Sequence, residues 1–230
     1  MKKLFIIHGW TYSTKSWDEC VSNLKRLGFD PVVLNVPGLS EPSAKVFTLN
    51  DYVSWLCDKI KGEEDAVLVG HSNGGRIAIA YGSLHPKGVS GLVLVDSAGI
   101  VRNDLPIRLK RTVFGSLDRA GKKIFKSNFA RKLYYKIVGE SDYERAPENM
   151  RKTMAGLIAI DLKPKLSEIN IPTLIIWGDK DKVTPVRDAE IMASNIKNSE
   201  LVIIPEAGHS PHLSHPSVVA ETIAEWLKDK

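Results

Sequence analysis

Six short runs rich in Val, Ile and Leu recur along the chain, at residues 4–7, 31–36, 66–69, 91–95, 173–177 and 201–204, each nearly continuous in hydrophobicity. A strand with one wet face alternates apolar with polar residues, so runs without alternation predict strands covered on both faces. Stretches of helical period lie between them. Trp17, Val21, Leu24 and Leu27 mark one helix, and Tyr52, Val53, Leu56 and Ile60 a second, with Thr48 and Asn50 as candidate caps. Ile77, Ala78 and Tyr81 mark a third, and Val218, Ile223, Trp226 and Leu227 close the chain. Strand alternating with helix implies right-handed crossovers and a parallel sheet with helices on both faces. The 230 residues suit one such α/β core carrying an insertion.

The insertion shows where the alternation breaks. Between about residues 100 and 167 no run reads as a strand, and the apolar spacing is helical: Ile124, Phe125, Phe129, Leu133, Tyr134 and Ile137. The chain therefore divides into a core of residues 1–99 and 168–230 and a helical cap or lid of residues 100–167. Charge follows the same division. Residues 102–136 hold eleven Lys/Arg against Asp104 and Asp118, a net +9, so the rest of a chain of net charge +5 sums to −4. Such asymmetry points to an anionic partner or surface, beside the plainer reading of solvated helix faces, which stays open.

Composition excludes several classes. No repeat or low-complexity tract is present, and no run approaches the roughly 18 apolar residues of a membrane span. The start, Met1-Lys2-Lys3, is basic like a signal peptide, but the apolar run after it has four residues where roughly 7–15 are needed. Cys20 and Cys57 stand alone, without the spacing of a disulfide framework or a metal site, and whether they pair is left open. A cytoplasmic protein without cofactor or metal is expected.

The chemistry centres on Gly70-His71-Ser72-Asn73-Gly74-Gly75, directly after the third run and before a helical pattern. A glycine-rich turn entering a helix can be purely structural. The strand-turn-helix setting, however, is that of the G-x-S-x-G elbow, where a serine on a strained turn needs small residues two positions to either side. Ser72 would then sit near a helix N-terminus, whose dipole favours developing negative charge. A serine hydroxyl needs a base. His209, in Glu206-Ala207-Gly208-His209-Ser210, lies just past the last run and so at the same sheet edge, whereas His215 precedes Pro216 at a helix start. A loop histidine is more often a solvated group, so location decides in favour of His209. The imidazole needs a carboxylate, and the loop after the fifth run, from Trp177 to Pro185, offers Asp179 and Asp181, either of which serves on chemistry alone. The oxyanion would be met by the backbone N–H of Asn73 and of Trp10, with Gly9 allowing close approach and His8 buttressing the loop.

With these segments in place the chain resembles the α/β-hydrolase superfamily along nearly all its length. His8-Gly9-Trp10, Val36-Pro37-Gly38-Leu39-Ser40, the elbow, the acid loop and the histidine follow in that family's order. The resemblance implies the acid pattern G-x-x-D-x-x-x-P, which selects Asp181, between Gly178 and Pro185, over Asp179. That family's sheet usually begins with two more strands, one antiparallel; this chain looks like a truncated member with six mainly parallel strands. His8-Gly9-Trp10 with Trp17, and the run Gly208-His209-Ser210-Pro211-His212-Leu213-Ser214-His215-Pro216, look like the carboxylesterases that remove the methyl ester from pimeloyl carrier protein. Those use a basic cap to receive an acidic carrier, which would suit residues 102–136.

The expected activity is hydrolysis of a carboxylic ester through an acyl-enzyme on Ser72. Thioesterase, C–C hydrolase, acyltransferase and aminopeptidase chemistry use the same groups. Epoxide and haloalkane hydrolysis are disfavoured, because they need a carboxylate where Ser72 stands. A binding or receptor protein with little turnover is the reading from another class; the full set of catalytic residue types counts against it. For the basic segment, an acidic carrier protein or anionic substrate ranks before anionic lipid, and nucleic acid is disfavoured for want of a motif.

Overall fold

The structure, a computed structural model, describes residues 2–84, 86–101 and 146–228. Six strands form one sheet: Lys3–Ile7 (β1), Asp30–Val33 (β2), Ala66–His71 (β3), Val89–Val95 (β4), Thr173–Gly178 (β5) and Ser199–Ile204 (β6). Their order is β2-β1-β3-β4-β5-β6, and every pairing is parallel.

Each continuous apolar run serves two cores at once because successive side chains leave opposite faces. Phe5 and Ile7 of β1 enter one cluster, with Leu68, Leu92 and Leu94. It is covered by Leu49–Lys59 (α2), Asn73–Gly82 (α3) and Val186–Asn195 (α5), through Tyr52, Leu56, Ile77, Ala189 and Met192. Leu4 and Ile6 enter the other, with Val67, Val69 and Val93. There Asp18–Arg26 (α1) and Pro216–Lys228 (α7) lie over the sheet through Cys20, Leu24, Val219 and Ile223. Between β5 and the second of these helices also come a short helix, Pro211–Ser214 (α6), and, before β5, Glu148–Ile158 (α4) and a 3₁₀ turn at Lys163–Glu168.

Three sequence expectations need correction. The second run does not stay in the sheet to residue 36. Val36 turns back, its N–H donating to Ser40 Oγ at 2.9 Å and its carbonyl accepting from Leu39 and Glu41 at 3.0 and 3.1 Å. Among the helix markers, Leu27 is a C-cap residue and Val218 faces solvent; their neighbours Leu24 and Val219 fill the core. Thr48 caps α2, accepting from the Asp51 N–H in a reciprocal box, whereas Asn50 lies inside the helix. The expected basic segment and the apolar spacing over 124–137 lie outside the described residues. Among the described residues no helix is long and apolar enough to cross a membrane, and both cysteines are free thiols, Cys20 buried and Cys57 exposed.

Strand order reverses at β1: β2 lies on one side of it, and β3 to β6 follow on the other. In a doubly wound sheet the carboxyl ends on either side of that reversal leave a crevice where ligands bind. The loops after β1 and β3 therefore frame it. At Gly74, the second residue of α3, an added Cβ would lie 2.6 Å from the Ile7 carbonyl carbon and 2.7 Å from His8 O, so the helix rests directly on the end of β1. Gly74→Ala is expected to lower stability in urea by more than about 3 kcal/mol. Gly156→Ala in α4, where a Cβ meets nothing within 4 Å, should instead raise it by up to about 1 kcal/mol.

Candidate active site

Ser72 stands between β3 and α3 with φ 51 and ψ −115, a left-handed conformation rare for a residue with a Cβ. Sterics impose it. A Cβ on Gly70 would lie 2.7 Å from Gly75 Cα and 2.8 Å from Gly74 O, and one on Gly75 would overlap Ser97 Oγ. Strand and helix thus pack backbone to backbone, and the turn between them is too sharp for right-handed geometry. Its two ends are tied: Ser72 N–H donates to Val95 O at 3.1 Å, and Ser72 O accepts from Arg76 and Ala98 at 3.2 and 2.9 Å.

His209 is brought to the serine by the loop after β6. Its Nε2 lies 2.9 Å from Ser72 Oγ, and its Nδ1 lies 2.8 Å from Asp181 Oδ2. An ionised carboxylate accepts only, so Nδ1 carries the proton and Nε2 is left to accept from the serine hydroxyl. Asp181 Oδ1 accepts from the Val183 and Thr184 N–H groups at 2.7 and 3.0 Å, and Oδ2 also accepts from Thr184 Oγ1 at 2.7 Å. Burial alone would push this carboxyl up, but the bonds from His209, Thr184 and Val183 outweigh it and hold it below the ordinary 3.8. Asp179, the other acid of the loop, is exposed. The loops carrying Asp181 and His209 are packed together, with Lys180 N–H donating to Ala207 O at 2.9 Å and a Cβ on Gly178 meeting Gly208 O at 2.6 Å.

On the β1 side, His8 is fully buried. Its Nδ1–H donates to Gly9 O at 2.8 Å, so Nε2 accepts from Ser40 at 2.6 Å, fixing the loop that carries Trp10. A Cβ on Gly9 would lie 3.1 Å from Ser72 Cβ, which brings this loop against the elbow. No hydrogen bond from the Trp10 or Asn73 backbone N–H appears among those of the described residues.

Sequence reasoning missed three neighbours. Asp96, at the end of β4, is fully buried; Oδ1 accepts from Gly178 N–H at 2.9 Å, and Oδ2 has no partner among the described residues. Burial first, and then the charge of Asp181, push its carboxyl up to about 8 against the bond from Gly178. His71 and His212 are buried behind His209, with His212 stacked on Trp17 at 4.1 Å. An acid closing an apolar run was the one available signal for Asp96; the two histidines had none beyond their nearness in sequence to Ser72 and His209. His71, Asp96 and His209 offer ligand atoms within 4.8 Å of one another. Both His209 nitrogens already bond to Ser72 and Asp181, so these are not a free ligand set.

A six-stranded parallel sheet with a serine on a strand-turn-helix elbow, met by a histidine and an aspartate from the loops of later strands, defines the α/β-hydrolase architecture. The profile of the alpha/beta hydrolase fold family matches residues 3–216, and the chain belongs to that family. It is 24% identical over 245 residues to a pimeloyl-[acyl-carrier protein] methyl ester esterase of Neisseria meningitidis, covering 99% of this chain and 94% of that one. It is 28% identical over 231 residues to the esterase of the same name from Nitrosomonas europaea, covering 93% of this chain and 90% of the relative. Its fold is similar to that of a thermophilic esterase from Thermogutta terrifontis, with TM-score 0.74 and 24% identity, covering all of this chain and 90% of the other.

Asp96 leads to an expectation with a definite sign. In the unfolded chain it ionises near 3.8, in the folded chain only near 8. Between those values the folded state keeps a proton the unfolded state has lost, so this group's contribution to stability is lost as pH rises through the window. Asp96→Asn cannot ionise. Its stability relative to wild type should therefore improve by on the order of a few kcal/mol from about pH 5 to 9, read from urea titrations at each pH. A difference that does not change with pH would refute it.

Proposed function

We propose that this chain is a serine carboxylic ester hydrolase working through an acyl-enzyme, with Ser72 as nucleophile, His209 as base and Asp181 as the acid that orients it. The observation that carries this reading is the continuous relay from Ser72 Oγ to His209 Nε2 at 2.9 Å and from His209 Nδ1 to Asp181 at 2.8 Å. His209 takes the hydroxyl proton as Ser72 Oγ attacks the ester carbonyl, and Asp181 stabilises the imidazolium that forms. The oxyanion is met by the Trp10 and Asn73 N–H groups at the positive end of α3. As the tetrahedral intermediate collapses, His209 gives its proton to the leaving alkoxide. It then activates a water, whose attack returns the acid product and free Ser72.

The substrate class is supported by the relatives, named as pimeloyl-[acyl-carrier protein] methyl ester esterases. With the +9 charge of residues 102–136, that supports an acidic carrier protein or anionic acyl group as partner. Residues 100–167 form a cap on the core in this reading. In its support, Leu162 N–H donates to Gly99 O at 2.8 Å and Val101 N–H to Asp161 Oδ1 at 3.2 Å, so the segment leaves and rejoins the core at one place. A cytoplasmic location fits the two free thiols.

A fluorophosphonate probe should label the wild type at Ser72 and fail to label Ser72→Ala. With p-nitrophenyl esters of graded acyl length, Ser72→Ala should lose about 10⁶-fold in kcat and Asp181→Asn about 10⁴-fold. An unlabelled, inactive wild type would sink the hydrolase reading. The partner is tested separately: kcat/KM on an acyl-carrier-protein methyl ester should fall steeply with added salt, while a neutral p-nitrophenyl ester stays flat. A flat response with both would remove the charge-guided partner.

A further inference from the structure

We propose that His71 is a positioning residue for the base: its ring, set between the Gly9 loop and the His209 carbonyl, fixes how far His209 stands from Ser72. This inference rests on the ester-hydrolase reading and deepens it.

The His71 ring is the last side chain of β3, directly before the elbow, and is buried. Its Nε2 lies 2.7 Å from the backbone carbonyl of His209. A carbonyl can only accept, so Nε2 carries the proton and the ring is held to one orientation. The opposite nitrogen, Nδ1, faces the oxyanion loop, where a Cβ on Gly9 would approach it to 2.9 Å. One ring therefore touches the loop after β1 and the loop after β6 while being covalently joined to Ser72. The relay needs those segments in register to within a few tenths of an ångström, and the sheet hydrogen bonds end before the loops begin. Near the base, His209's own side chain is committed to Ser72 and Asp181; the bond at its carbonyl holds the backbone from which that side chain extends.

The surroundings keep the ring in place and neutral. His71 lies 4.4 Å, ring to ring, from His212, which stacks on Trp17, and 5.2 Å from His209. The groups facing it are His8, His209, His212 and, within 4.8 Å, Asp96. Burial, and then the nearby His212 and His209, lower its basicity well below the usual histidine value, and burial brings His212 to about 3. At neutral pH neither His71 nor His212 thus adds a positive charge beside His209.

His71→Phe keeps a ring of similar size and deletes the donor, whereas His71→Gln keeps a donor. With p-nitrophenyl esters, His71→Phe is expected to lower kcat by about 10–100-fold with KM little changed, and His71→Gln to recover most of it. Thermal unfolding of each variant separates this from loss of fold, and His71→Asn, too short to reach the carbonyl, replaces a Phe variant that does not fold. A second readout does not need turnover: the downfield Nδ1–H resonance of His209, assigned by its loss in His209→Ala. It should be sharp in wild type and His71→Gln and broadened by exchange in the donor-less variant. Inactive wild type would sink the hydrolase reading alone, since the resonance still decides the positioning role. Full kcat in a folded donor-less variant, a Gln variant as slow as the Phe one, or an unchanged resonance would overturn the proposal.

Discussion

Backbone contact between β3 and α3 is the constraint on which the site depends. With no room for a Cβ at Gly70, Gly74 or Gly75, the connection must be a single residue in a left-handed turn, and Ser72 takes it at φ 51. Holding a non-glycine residue there costs of order 1–3 kcal/mol, and it persists only where surrounding structure over-determines it. Here the bonds from Ser72 to Val95, Arg76 and Ala98 do so. The same crowding that strains the serine lifts its hydroxyl clear of the sheet edge and places its N-terminal neighbour, His71, against the His209 carbonyl.

Charge placement follows from burial. Two buried carboxyls, Asp96 and Asp181, lie beside His209, and desolvation acts against ionising either. Donors decide between them. Asp181 collects two backbone N–H groups, a hydroxyl and an imidazole, while Asp96 has the one N–H of Gly178. One therefore stays ionised and the other holds its proton to about pH 8. A single negative charge beside His209 is what a serine hydrolase needs to stabilise the imidazolium that forms during the transfer.

How much of this was readable in the sequence depends on how local each cause is. The inner strands were legible because double-sided burial leaves an unbroken apolar run, which edge strand β6 keeps although Ile203 is exposed; that Ser72, Asp181 and His209 meet at one sheet edge was legible because each follows such a run. The stop of β2 at Val33 was not, since it depends on the Ser40 hydroxyl capturing the Val36 N–H. Val218 misled because helical spacing does not say which of two adjacent apolar residues faces the core, and Leu27 because α1 ends at Arg26, one residue before it. Helix α5 carries no strong stripe and passed unmarked. Asp96, His71 and His212 gain their meaning only from residues far away in sequence, and no spacing rule reaches across the 138 positions between His71 and His209.

The segment after β4 connects to the chemistry through one buried cation. Arg76, one turn beyond Ser72 in α3, donates from Nη1 to Ile160 O at 2.9 Å, with Asp161 nearby. Burial lowers its guanidinium to about 10, still charged at neutral pH. Asp161 in turn accepts from Val101 and Lys163, so both described ends of the segment are clasped to the helix that starts at Ser72. Farther along, α4 is fixed to the loop before α2, Thr153 Oγ1 accepting from Phe47 N–H at 2.9 Å and Asn149 donating to Ser43 and Lys45 carbonyls. Residues 146–168 are thereby bound to the core at their start and at their end. Of the two attachment points, one is Arg76, on the helix that begins at Ser72, and the other is the loop before α2.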